Sequence, residues 1–507
     1  MADHQEPFAP TFTGPEAAAV LDRPDAGGGG GGRNSRAISP FRNILRLITG
    51  DFAAKALYFV TFVYLAKTLG VAGYGVLEFA VAIRTYLLLL ADGGLEMWAV
   101  REVAKGKDIR QLAARVVPLR AILAVASYAA VTSVLGILPD NPNLRKLLPV
   151  LALTVFLQAF NLKWVFMGTG KMSHVGAGLV LAQGAFSALM FLVVRGPGDL
   201  MSIGTVWLTS ELVLILYFRW LFAKRYGSLP VRIELSGVIK TLRPALVLGL
   251  SQGLGLLNYG VGSVLLGVLR GPGVVGWYGA AYKPVTAALA LPASFFGGLF
   301  PALATAHAQG REAFRALLAR SLRLTSIFAI PIGIGGTLLA EPMIRSLFGP
   351  TYLRSVAALQ ILAWSAVLVI LRGNFRQALN VAGRHRLDLY CAGAAVTTNF
   401  VLNLVLIPRY SLLGAASAAL LTEVLWFTIA FFCVSRYVTT VPWLDVAWRP
   451  VLAAAAMAAA LWLAEPWYWM VRAALGGAVY FTVLGLLGET EVLVRLPFRS
   501  AAPVPEG

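Results

Sequence analysis

Gly73-Tyr74-Gly75 opens one long apolar stretch of this chain, and Trp277-Tyr278-Gly279 opens another in the same setting 204 residues later. A second pair of features repeats the interval: Ser210-Glu211 and Thr422-Glu423 lie inside apolar runs 212 residues apart. Two features at nearly one offset point to an internal duplication. The surrounding sequence says what is duplicated. Its apolar blocks run near 20 residues with little or no charge, the length at which a helix rising 1.5 Å per residue crosses a ~30 Å hydrocarbon layer. Strands of an outer-membrane barrel would be about ten residues long with alternating polarity.

Fourteen such blocks are expected to span a membrane, near 43–69, 75–98, 116–138, 147–168, 175–195, 201–223, 242–269, 275–302, 318–340, 354–382, 388–407, 412–435, 447–464 and 468–487. The expected fold is therefore an all-α membrane protein. Two pseudo-symmetric six-helix bundles, 37–225 and 242–436, are joined by a basic linker at 226–241 and followed by an extra helix pair at 437–488 and a tail at 489–507. Six is an even number, so both bundles enter the membrane in the same sense, with a symmetry axis along the membrane normal. Residues 1–36, with six consecutive glycines from Gly27 to Gly32 and four prolines, cannot build a core and are expected to be disordered. They lack a basic start followed by an apolar stretch, so the first span is expected to do the targeting.

Composition agrees. Of 507 residues 58% are apolar and 13% charged, against about half and a quarter in soluble domains, and the mean hydropathy is +0.73. A soluble enzyme and a disordered or fibrous chain are excluded as the main reading. Lys and Arg number 43 against 24 Asp and Glu, a net +19. The cations sit mainly in short loops, such as Arg101, Lys105, Lys107, Arg110 and Arg115, so they report topology and attraction to anionic lipids rather than nucleic acid. With the N-terminus in the cytoplasm, inward loops carry about 19 cations and outward loops about seven. This places both termini in the cytoplasm. Cys391 and Cys433 fall in spans and read as packing residues. Four histidines without ligand spacing, and the absence of a phosphate-binding glycine loop, argue against a metal centre, a bound cofactor and ATP-driven transport.

Duplicated helical halves with little outside the bilayer are a transporter architecture with its path between the halves. Charges at membrane depth mark that path. Lys55, Arg84 and Lys283 lie well inside spans 1, 2 and 8, and Arg376 toward the end of span 10. They are candidate substrate-binding cations for an anionic head group. Asp51, Asp92, Glu211 and Glu423 are candidate coupling acids, and Asp51 and Lys55 are placed to pair four residues apart.

Leu69-Gly70-Val71-Ala72-Gly73-Tyr74-Gly75, Asp92-Gly93-Gly94-Leu95 with Ala99-Val100-Arg101-Glu102, Gln377-Ala378-Leu379-Asn380-Val381-Ala382-Gly383-Arg384 and Leu406-Ile407-Pro408-Arg409-Tyr410 come in an order and spacing that resemble a known family. It is the O-antigen and exopolysaccharide flippases of the multidrug/oligosaccharidyl-lipid/polysaccharide exporter superfamily. The resemblance covers about 40–440. It implies a V-shaped pair of bundles in a bacterial inner membrane. The implied substrate is a glycan on undecaprenyl diphosphate, supplied by glycosyltransferases and passed to a polymerase. The family's fourth span often has an acid before its Trp; here Asn161 and Lys163 precede Trp164. Two readings stand beside it: a cation-coupled drug or metabolite exporter, and a flippase for the peptidoglycan precursor lipid II.

Overall fold

The structure, a computed structural model, describes residues 40–136, 138–228, 238–441, 443–465 and 467–489; side chains are described from residue 52 onward, apart from some inside helices. Residues 1–39 and 490–507, most of the 226–241 linker and the Asp51 side chain lie outside the described residues.

Sixteen α-helices and two single 3-10 turns follow one another in the described residues. The first eight are α1 Pro40–Asp92, α2 Leu95–Ala104, α3 Ile109–Val134, α4 Pro142–Ala152, α5 Thr154–Ala159, α6 Lys163–Gly168, α7 Met172–Val193 and α8 Leu200–Tyr226. The rest are α9 Val238–Arg270, α10 Pro272–Gln309, α11 Arg311–Leu338, α12 Ala340–Leu347, α13 Ser355–Val381, α14 His385–Tyr437, α15 Trp443–Leu463 and α16 Trp469–Leu486. By length and composition nine helices in the described residues are long and apolar enough to cross a membrane. Large apolar side chains such as Trp220, Phe432, Trp462 and Leu463 stand exposed, which suits contact with lipid rather than water.

Two of the helices are double. In α1 the helical path breaks at Gly70, with φ 67° and ψ 176°, a conformation open to glycine and strained for residues with a Cβ. The break separates the stretches read as spans 1 and 2. In α14 the break falls at Ser411, three residues after Pro408, between spans 11 and 12. Span 4, expected as one helix, is three: α4, α5 and α6 meet at Leu153 and at Phe160–Leu162. Pro149 lies inside α4, and a proline there removes one backbone donor and bends the turn.

Helices α1 to α8 pack mainly among themselves, as do α9 to α14; α15 and α16 pack on each other and α15 lies on α11. The two sets meet where α1 runs along α10 and α9, and where α2 touches α9. The largest apolar cluster straddles that contact, with Phe62, Tyr74, Leu77 and Phe79 against Tyr278, Ala280, Ala281 and Val285. The repeated tyrosines, Tyr74 and Tyr278, are both fully buried.

Two crossings fix the contact. A Cβ on Gly75 would run into the Pro272 carbonyl, and one on Gly276 into the Val71 carbonyl, so the backbones of α1 and α10 touch there. At the other end a Cβ on Gly94 would run into the Ala245 carbonyl and Gly249. Glycine at a helix crossing lets backbones approach in this way, and both ends of the contact are closed.

Candidate functional site

Between the crossings, the buried charges gather on α1 and α10. Glycine at 279 leaves room for Glu78: a Cβ there would stand 2.8 Å from the Glu78 Cγ. One turn further along α10, the Lys283 ammonium lies 2.8 Å from Glu78 Oε1, with the two side chains only 10% and 12% exposed. The same ammonium stands 3.8 Å from the centre of the Phe62 ring and 5.1 Å from that of Tyr58. Attraction to ring faces adds to the ion pair in such a desolvated place.

Arg84, less than two turns beyond Glu78 on α1, has its own acid. Its Nη2 donates to Glu211 Oε1 at 2.7 Å and its Nε to Thr154 Oγ1 at 2.7 Å. The second Glu211 oxygen accepts from Gln158 Nε2 at 2.7 Å. The guanidinium lies over the Trp207 ring at 4.8 Å, and that ring meets Phe62 edge-on at 6.2 Å. Arg84 and Lys283 therefore share one aromatic floor of Tyr58, Phe62 and Trp207. With Glu78 and Glu211 ionised, two cations and two carboxylates cancel. Lys55 is exposed; it lies one turn before Tyr58 on α1, on the face that carries Tyr58 and Phe62.

The second half holds a similar ion pair, built from other spans. Arg372 Nε meets Glu423 Oε2 at 3.0 Å, Asn258 Nδ2 donates to the other oxygen at 3.1 Å, and the guanidinium lies over Trp426 at 3.4 Å. Glu211 and Glu423, matched by their offset in sequence, each take one guanidinium and one amide. A small cavity beside Glu423 is lined by Asn258, Tyr278, Ser365, Asn399 and Asn403.

The other expected residues lie elsewhere. Arg376 is half-exposed and pairs with Asp388 at 3.3 Å, so it is not brought to the aromatic floor. Asp92 accepts from the buried Arg120 and from the Glu96 backbone N–H. Arg120 also reaches Glu96 at 3.2 Å, and Lys163 reaches Glu96 at 2.8 Å. Lys163, the departure before Trp164, thus has an acid from α2 as its counter-ion. Asp92, Glu211 and Glu423 all hold a guanidinium, so the structure gives none of them as a lone acid. Glu78 was missed in the sequence, where it is one acid in an apolar run. Its only advance signal is position: Tyr74 matches Tyr278, so Glu78 falls opposite Tyr282, beside Lys283. Among the described residues no three His, Cys, Asp or Glu side chains gather to hold a metal ion.

Residues 41–307, more than half of the chain, match the family model of the polysaccharide biosynthesis protein. The chain belongs to that family. The chain is 22% identical over 404 residues to the "Putative O-antigen transporter" of Escherichia coli K12, covering 77% of this chain and 96% of that one. It is 27% identical over 203 residues to the "Probable flippase AglR" of Haloferax volcanii, covering 39% and 42%. In fold it is similar to the lipid II flippase MurJ in an inward closed conformation, with TM-score 0.72 at 15% identity over 89% of this chain and all of that one. It is also similar to an inward-facing multidrug resistance MATE family transporter of the MOP superfamily, with TM-score 0.59 at 16% identity over 77% and 98%. The chain therefore has the fold of that superfamily.

Proposed function

We propose that this protein flips a polyprenyl-diphosphate-linked oligosaccharide from the inner to the outer leaflet of a bacterial cytoplasmic membrane, and that it is a transporter with no catalytic step of its own. One observation carries the reading: Arg84 and Lys283 come from opposite sets of helices onto one aromatic floor. A Lys or Arg at the centre of a spanning helix costs ~2.5–3.5 kcal/mol on insertion scales. Glu78 and Glu211 meet that cost at rest. A diphosphate brings two or more negative charges and can take the place of both carboxylates, meeting an ammonium and a guanidinium fork. Asp92, Glu211 and Glu423 each hold a guanidinium, which disfavours an exporter built on lone acids. The lipid tail stays between helices, and the glycan is held by water and polar groups.

The topology proposed with it has fourteen crossings in halves 37–225 and 242–436, both termini cytoplasmic, and the helix pair at 437–488 beside the second half. A cysteine in place of Ser228, which is exposed, should then stay unlabelled by an impermeant maleimide in intact cells and react after permeabilisation. Labelling in intact cells would reverse the topology.

Reconstitution tests the function. Proteoliposomes carrying a fluorescent undecaprenyl-diphosphate oligosaccharide should expose it to an external quencher at a rate that depends on the protein. Lipid II and an organic cation drug serve as rival cargo. Faster movement of either rival than of the oligosaccharide would replace the proposed cargo.

A further inference from the structure

We propose that Glu78 is a built-in stand-in for the diphosphate: it latches the two sets of helices together through Lys283, and a bound diphosphate opens the contact by taking Lys283 from it. The inference rests on the flippase reading and adds a residue and a step to it.

The geometry gives the latch its place. Glu78 lies one turn inside the Gly75–Gly276 crossing and Lys283 nearly two turns inside it, so their ion pair bolts the same end of the contact that the glycines close. Besides the apolar cluster that straddles the contact, the hydrogen bonds between the two sets at that end are neutral or exposed. Tyr352 donates to the Ala66 carbonyl at 2.7 Å and exposed Lys67 to the Ser346 carbonyl at 3.0 Å; within the second set, Trp277 donates to the Thr351 carbonyl at 3.0 Å. Through these bonds α12 and the turn Pro350–Tyr352 sit as a cap over the crossing. None of them carries a charge pair buried like Glu78 and Lys283.

The exchange is chemically even-handed. A carboxylate and a phosphate oxygen are alternative acceptors for one ammonium. The difference lies in tethering. Glu78 holds Lys283 in direct contact at 2.8 Å and so keeps α10 hard against α1; a diphosphate between Lys283 and Arg84 is a longer link, so holding it lets the two helices stand further apart. A ligand shifts a two-state contact only by its preference for one state, and competition with Glu78 supplies that preference. A neutral lipid or an isoprenoid alcohol has no means of displacing Glu78.

The test measures the width of this end directly. In full-length protein with Cys391 and Cys433 replaced by serine, spin labels are placed at Ala72→Cys and Arg345→Cys, both exposed, in nanodiscs. Without ligand the distance should be short and narrowly distributed. Geranylgeranyl diphosphate should raise the population at longer distance about tenfold, and geranylgeraniol should not. Glu78→Gln should show the longer distance without ligand and little further response. The charge swap Glu78→Lys with Lys283→Glu should restore the short distance without ligand. Binding of geranylgeranyl diphosphate is followed in parallel by native mass spectrometry. If the wild type binds it and the distance stays short, or if Glu78→Gln stays closed and responds like the wild type, the latch is wrong while the cationic site stands. If the wild type does not bind it at all, the proposed function fails first.

Discussion

Replacing Arg84 by Ala should stop transport and destabilise the first half, because it leaves Glu211 buried without its guanidinium. Breaking a buried pair on one side costs about 3–5 kcal/mol, and Glu211 then keeps only the Gln158 amide. Charge reversal at Arg84 should be worse, since it sets two carboxylates facing each other where the ion pair stood, and close like charges resist ionising together. Arg84→Lys should insert and fold but transport at a fraction of the wild-type rate, for an ammonium cannot serve Thr154, Glu211 and a phosphate with one planar fork. The decisive variant is Arg84→Gln with Glu211→Gln. It removes both charges and should recover most of the folding stability without recovering transport. Thermal unfolding in detergent and the proteoliposome assay read the two effects separately. A double variant that transports at the wild-type rate would make Arg84 a packing residue.

The second large effect is expected in the other half and is one of stability. Glu423 and Arg372 are 3% and 6% exposed, with Asn258 on the free carboxylate oxygen. Arg372→Ala should lower stability by about 3–5 kcal/mol through the stranded carboxylate. Replacing both by apolar residues of similar size, Arg372→Met with Glu423→Leu, should cost far less, because a buried pair offers little net stability over well-packed apolar groups. The unfolding midpoint of the single variant should therefore fall well below that of the double. Equal midpoints would mean that the pair is not energetically coupled.

The sequence made the membrane fold legible because hydrocarbon imposes a length on every span, and fourteen blocks of that length could be marked. The break at Gly70 falls in the gap between the apolar blocks 43–69 and 75–98, although the bounds alone did not single out that glycine. The division of span 4 into three helices was not legible: an apolar run looks the same whether or not its backbone is continuous. Glu211 and Glu423, singled out by their interval, each hold one guanidinium and one amide, but from spans 2 and 4 in one case and 10 and 7 in the other, which the interval did not announce. Arg84 and Lys283 could be singled out as costly charges, but their counter-ions are 127 and 205 residues away in sequence. Hydropathy records the expense of a charge and says nothing of its partner. Arg376 failed to join them for the opposite reason: it is close enough to the helix end to find Asp388 there.

The central claim is that two opposed cations receive a diphosphate, and binding tests it more directly than transport does. The measurement is the dissociation constant of geranylgeranyl diphosphate for nanodisc-embedded protein, compared with geranylgeranyl monophosphate. The wild type should prefer the diphosphate. A folded variant carrying Arg84→Gln, Glu211→Gln, Glu78→Gln and Lys283→Gln should lose that preference and bind the diphosphate at least about tenfold more weakly, each tenfold being ~1.4 kcal/mol. The same affinity and the same preference in that folded variant would contradict the account.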